Sequence, residues 1–148
     1  MTDCKFQKEL EEIIVQGNAK ILVETARKIA EEMIQKAKWG GVMEGGSVST
    51  SQIRNIFGAS KRIEMALNEK NVADKYGELI LLKPKMAYAN GRFNKDFGNG
   101  RYKIPGFKTL VDCLSHAIDK IDGDYKRMKN FFNFFEAILA YHKAEGGK

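Results

Sequence analysis

Histidine and cysteine are both scarce in this chain of 148 residues, each present only twice. Cys4 and Cys113 stand far apart in sequence and outside any C-x-x-C spacing, so neither a disulfide framework nor a zinc site is indicated. His116 and His142 have no neighbouring cysteine and no metal-ligand spacing, and the carboxylates fall mainly on amphipathic segments. General acid–base and nucleophilic chemistry usually draws on such groups gathered in a cleft. The sequence therefore points to no enzyme, no catalytic residue, no cofactor and no metal. No apolar run approaches the roughly 18 residues that span a bilayer. The opening Met1-Thr-Asp-Cys-Lys5 lacks the basic, apolar and small-residue order of a secretory signal. No membrane partner is expected, and the cytoplasm is the expected compartment.

Nucleotide and calcium motifs are incomplete. Gly41 and Gly46 have phosphate-loop separation, but Ser47 stands where lysine is required and no strand precedes it. Gly98 and Gly100 begin a G-x-G that no third glycine completes. The acidic run from Asp119 to Asp124 fails the EF-hand spacing and lacks its closing glutamate, so it reads as a turn followed by a helix cap.

What remains is a normal apolar content (43%) with abundant charge (30%), enough for one globular domain with a real core. The net charge of +6 is localised. Residues 52–103 hold eleven Lys/Arg against five Asp/Glu, while the flanks carry fourteen of each sign and cancel. A local basic surplus suits nucleic acid, because counterion release needs cations along one surface.

Helical periodicity runs through the chain. Phe6, Leu10, Ile13 and Ile14 predict a helix over about 3–16, stopped by Gly17; Asn18 then caps a second to about 38, carrying Ile21, Leu22, Ile29, Met33 and Ile34. Residues 39–47 form a glycine-rich flexible loop, with Trp39 expected as an anchor at the core edge. Ser49 and Gln52 form a capping box that starts a helix to about 70, with Ile53, Ile56, Phe57 and Met65 inward and Arg54, Lys61 and Arg62 on other sides. Its N-terminus is also favourable to phosphate. Residues 71–76 are polar, a connection or a continuation, and residues 79–82 read as buried helix.

Pro84 and Gly91 bracket a short helix on which Lys85, Tyr88 and Arg92 share one face, with Met86 and Ala89 turned elsewhere. The following loop alternates Lys95, Arg101 and Lys103 with Phe93, Phe97 and Tyr102, which suits single-stranded nucleic acid. Pro105 opens a helix to about 121. The last helix, about 124–143, carries Met128, Phe131, Phe132, Phe135, Ile138 and Leu139, with Phe134 and Tyr141 at the stripe's borders and a fraying tail beyond. The expected fold class is all-α, a compact bundle of about five to six helices in a single domain over 1–148.

Three stretches, in this order, resemble a known family: Ser51-Gln-Ile-Arg54, Leu82-Lys-Pro-Lys-Met-Ala-Tyr-Ala-Asn-Gly-Arg92, and Asn133-Phe-Phe-Glu-Ala-Ile-Leu-Ala-Tyr-His-Lys-Ala-Glu-Gly-Gly-Lys148. The family is the small subunit of the Csm complex, the type III-A CRISPR effector, and the resemblance covers about 48–148, with no matching motif in 1–40. It implies a non-catalytic, all-helical protein that stacks with copies of itself inside a filament of backbone subunits and lines the groove for guide RNA and target RNA in antiviral defence. Its partners would be those RNAs and the backbone and large subunits. Arg54, Lys83, Lys85 and Arg92 are the RNA-facing positions the resemblance implies. Tyr88 joins them by its shared face, and Lys61, Arg62, Arg101 and Lys103 by local charge. Two other readings stand beside this one: a helical, sequence-specific DNA-binding regulator using the helix that carries Ser51, and an interaction module docking through the aromatic last helix.

Overall fold

Asparagine and serine side chains set both ends of two helices in this fold. The computed structural model describes residues 4–94 and 102–148; the expected roles of Lys95, Phe97 and Arg101 lie outside the described residues. Helix α1, Gln7–Leu10, runs directly into a π-helical turn, Glu11–Val15. The wider turn keeps Leu10, Ile13 and Ile14 all buried, and Asn130 Nδ2 donates to the Ile14 carbonyl at 2.9 Å. Gly17, at φ +69°, ends the segment as expected. Asn18 then accepts the Ile21 amide at 3.1 Å and starts α2, Ala19–Met33.

The second helix is shorter than its periodicity suggests. Ile34 turns extended because Ser47, far downstream, takes over the helical partners: its Oγ accepts the Gln35 amide and donates to the Met43 carbonyl, both at 2.7 Å. Met43 N–H also bonds the Gln35 carbonyl, and Lys36 bridges Val42. The glycine-rich loop is thus a hydrogen-bonded turn. Trp39 sits on its outside at 80% exposure, so it is not a core-edge anchor.

Ser49 and Gln52 make the expected capping box, at 3.3 and 2.8 Å, and open α3, Thr50–Ala66. Ile53, Ile56 and Ile63 are buried, whereas Met65 is 79% exposed and not inward. At about 100° per residue, Met65 falls opposite the isoleucine face. Asn68 and Asn71 then bond each other's backbone, and Asn71 Nδ2 takes the Ala66 carbonyl, which ends α3 before residue 70. The polar stretch after it begins another helix, α4, Val72–Ile80.

Leu81 separates α4 from α5, Leu82–Asn94. Pro84 lies in the first turn of α5, where its missing N–H costs no helical bond. Gly91 does not close this helix; it is an interior residue without positive φ. Within the described residues α5 reaches Asn94, whose buried side chain accepts the Ile104 amide at 2.7 Å. Helix α6, Pro105–Ile121, matches its expected bounds, and Asp122 (φ 48°) and Gly123 (φ 74°) reverse the chain. Asp124 caps α7, Tyr125–Ala144, by accepting the Arg127 amide at 2.9 Å.

Helix α7 packs against α2, α6, α3 and the π-turn. That many-sided packing buries Phe134 completely, in place of the border position its spacing implied, and leaves Leu139 only partly buried. Phe131 and Phe135 form an edge-on chain with Phe57 of α3, at 6.2 and 5.2 Å between centroids. Because this stripe is spent on the chain's own core, it is not an uncovered docking face. The tail is ordered: Gly147 N–H bonds the His142 carbonyl, and buried His142 donates from Nε2 to the Val48 carbonyl at 2.7 Å. Among the described residues there is no strand, and the architecture is all-α. No helix among them is long and apolar enough to cross a membrane.

Candidate nucleic-acid interface

The buried side chains of α3 and α5 fix which faces those helices turn outward. On α5, Leu82 and Met86 point into the core, so Lys85, Tyr88, Ala89 and Arg92 share the outer face. On α3, Ile53, Ile56 and Ile63 point inward, which leaves Arg54, Gly58 and Arg62, at intervals of four, along the facing wall. The two walls enclose an open groove of about 890 Å³. Gly58, Ala59 and Ala89 keep its floor shallow, and Arg62 Nη1 lies over Gly58, 3.6 Å from where a β-carbon would stand. Ala89 is therefore part of the groove, contrary to its expected direction.

Among the described residues, no carboxylate lines this groove. Arg54, Arg62, Lys85 and Arg92 are exposed, and none makes an ion pair with a described residue. Along α3, Arg54 and Arg62 are separated by a rise of about 12 Å, and Lys85 and Arg92 by about 10 Å along α5. Tyr88 stands between the α5 cations at 73% exposure. Ser51, Gln52 and Asn55 add neutral polar groups at the capped end. Spacing from Arg54 along its own face would have found Ser51, three residues earlier, but its chemistry is too common to single out.

Lys103 enters from a second, smaller cavity of about 270 Å³, which shares Gln52, Arg92 and Phe93 with the groove. Its acidic member, Glu44, is paired with Lys148 at 3.4 Å. Two other expected site residues lie outside the groove. Lys61 pairs with Glu64 at 3.2 Å, and that carboxylate raises its pKa. Lys83 pairs with Asp119 of α6. Arg101 lies outside the described residues. Two aromatics expected in a base-stacking loop have ring partners within the fold: Phe93, which lines the groove, packs edge-on against Phe107 at 5.1 Å, and Tyr102 lies beneath Lys108.

The groove has the means to hold a polyanion and little else. It offers cations, one exposed ring and, among the described residues, no acid to repel phosphate. Among the described residues no group of three or more His, Cys, Asp or Glu is placed to hold a metal ion. Burial holds the His116 imidazole below its ordinary pKa, with Lys120 acting in the same direction.

A profile of the family described as Csm2 Type III-A matches residues 17–148. Comparison with curated proteins and with solved structures gives no match. The family match takes in α2 through α7, and so reaches well into the N-terminal region where the sequence alone offered no motif. On that extent of agreement, and with the all-helical fold in hand, the chain belongs to the Csm2 type III-A family, the small subunit of the Csm complex.

Proposed function

We propose that the groove between α3 and α5 binds the sugar–phosphate backbone of RNA inside a Csm type III-A interference complex. The single observation that carries this reading is a groove lined, among the described residues, by no carboxylate, on which Arg54, Arg62, Lys85 and Arg92 project without ion-pair partners among those residues. In the assembly the protein contacts guide RNA and target RNA and has no catalytic activity of its own. Guide–target pairing supplies sequence specificity, while the protein reads charge and shape. Membership of a CRISPR effector family and the lack of a membrane-crossing helix among the described residues favour action in the cytoplasm.

Copies stack along the inner side of the filament in this reading, next to the backbone and large subunits. Exposed apolar side chains support such stacking: Trp39 lies in the loop before α3, while Met65 lies in the last turn of that helix, with Leu81 beyond it. A recognition helix for duplex DNA needs a protruding face to enter the major groove. The basic face of α3 instead forms one wall of a concavity, which disfavours the regulator.

The test is binding of the purified protein to single-stranded RNA, duplex RNA and duplex DNA of unrelated sequences, with Arg54→Ala/Arg62→Ala alongside. Binding to RNA of any sequence, weakened in the variant, is expected. Preference for one duplex DNA sequence would replace this reading with the regulator. Should the free protein bind nothing, co-purification of RNA with the reconstituted complex, with and without the two substitutions, is the deciding measurement.

A further inference from the structure

The chain's two cysteines lie far apart in sequence, yet the fold brings both to one cavity. Cys4 precedes α1, which packs on α6, and Cys113 lies on the inner side of α6. Both are free thiols and buried. The Cys4 sulfur accepts the Phe6 amide at 3.4 Å. Both line one cavity of about 240 Å³ with Lys5, Tyr102, Lys108 and Asp112, of which Tyr102 is solvent-exposed. A buried structural thiol is usually inert. Here two thiols line the same cavity, which is large enough to admit a peroxide.

We propose that Cys4 and Cys113 form a peroxide-responsive dithiol that closes to an intramolecular disulfide, a modification site separate from the RNA groove. The roles of the two sulfurs differ. Cys4 is held below the usual thiol range, first by the neighbouring Cys113 thiol and then by the Phe6 amide, against the opposing effect of burial. Cys113 is pushed strongly up by its neighbour Cys4 and by burial. With the Phe6 amide on its sulfur, Cys4 is the attacking thiolate in this proposal.

The reaction uses hydrogen peroxide as the oxidant. Cys4 sulfur bonds to one peroxide oxygen, the O–O bond breaks, and the departing hydroxide takes up a proton to leave as water. The product is a sulfenic acid on Cys4. Cys113, having given up its proton, attacks that sulfur; the S–O bond breaks, the S–S bond forms, and the second oxygen leaves as water. Two thiols are oxidised by two electrons in total, and one peroxide is reduced to two waters. Closure requires the sulfurs to approach to about 2 Å. The disulfide would tie the segment ahead of α1 to α6.

Intact-protein mass spectrometry of the full chain, before and after hydrogen peroxide, tests this. Oxidised wild type should be lighter by two hydrogens, take up no maleimide after unfolding, and recover both reactive thiols with dithiothreitol. Cys113→Ser should stop at a sulfenic acid on Cys4 that dimedone traps. The proposal is overturned if wild type keeps both thiols reactive, if it gives only disulfide-linked dimers, or if Cys113 is oxidised as fast in Cys4→Ser. The wild-type mass shift stands alone as a test should either variant fold poorly.

Discussion

Lys83 and Lys85 are two positions apart on α5 and serve different neighbours: Lys83 pairs with Asp119 of α6, while Lys85 opens into the groove facing α3. A two-residue step turns a helix by about 200°, so the pair cannot share a ligand. Lys85→Ala should therefore weaken RNA binding for every sequence tried. Lys83→Ala should leave binding within about two-fold and cost no more than about 1 kcal/mol of stability, since its ion pair is partly exposed. Parallel anisotropy titrations and urea unfolding check both outcomes.

Tyr88 separates stacking from charge. It stands exposed between Lys85 and Arg92, with no ring contact to the other described residues. Tyr88→Ala should lower affinity for single-stranded RNA by about 1–3 kcal/mol, the range for one stacked base. The salt dependence should not change, and Tyr88→Phe should restore binding. A changed salt slope in Tyr88→Ala would show that the ring holds the cations in place instead.

Ser47 is a buried hydroxyl whose removal leaves the Gln35 amide without its partner. Ser47→Ala should destabilise the fold by about 1–3 kcal/mol, seen as a lower urea midpoint at unchanged m-value. Trp39, on the same loop and facing solvent, contrasts with it. Trp39→Ala should leave the midpoint unchanged and reduce self-association in sedimentation velocity.

His116 gives the fold an acid-sensitive step. Burial favours its neutral form, so its folded pKa lies below the unfolded value near 6.5. Its stabilising contribution is present above that value. As pH falls through it, the unfolded chain takes up a proton that the folded chain does not, and stability declines until the folded pKa is passed. His116→Gln should reduce the drop in urea midpoint between about pH 7.5 and about pH 5.5.

Much of this fold follows from local chemistry that can be read along the chain. The Ser49–Gln52 box, the Asn18 and Asp124 caps and the Pro105 start each involve residues within a turn of one another. The shared face of Lys85, Tyr88 and Arg92 was legible for the same reason. Features set by distant residues were not. The end of α2 depends on Ser47, and the burial of Phe134 on helices from several directions. The groove itself needs α3 and α5 side by side. Only that pairing puts Arg62 rather than Lys61 on the groove wall with Arg54, and it leaves Lys83 outside the groove.

The most direct measurement is the salt dependence of single-stranded RNA binding by wild type and by Lys85→Ala/Arg92→Ala, across several unrelated sequences. Removing one cation that neutralises a phosphate lowers the slope of log affinity against log salt by about 0.7 on a single strand. The double variant should therefore show a slope shallower by about 1.4, by the same amount for every sequence. An unchanged slope, or a fall in affinity confined to one sequence, would contradict a groove that reads the RNA backbone by charge.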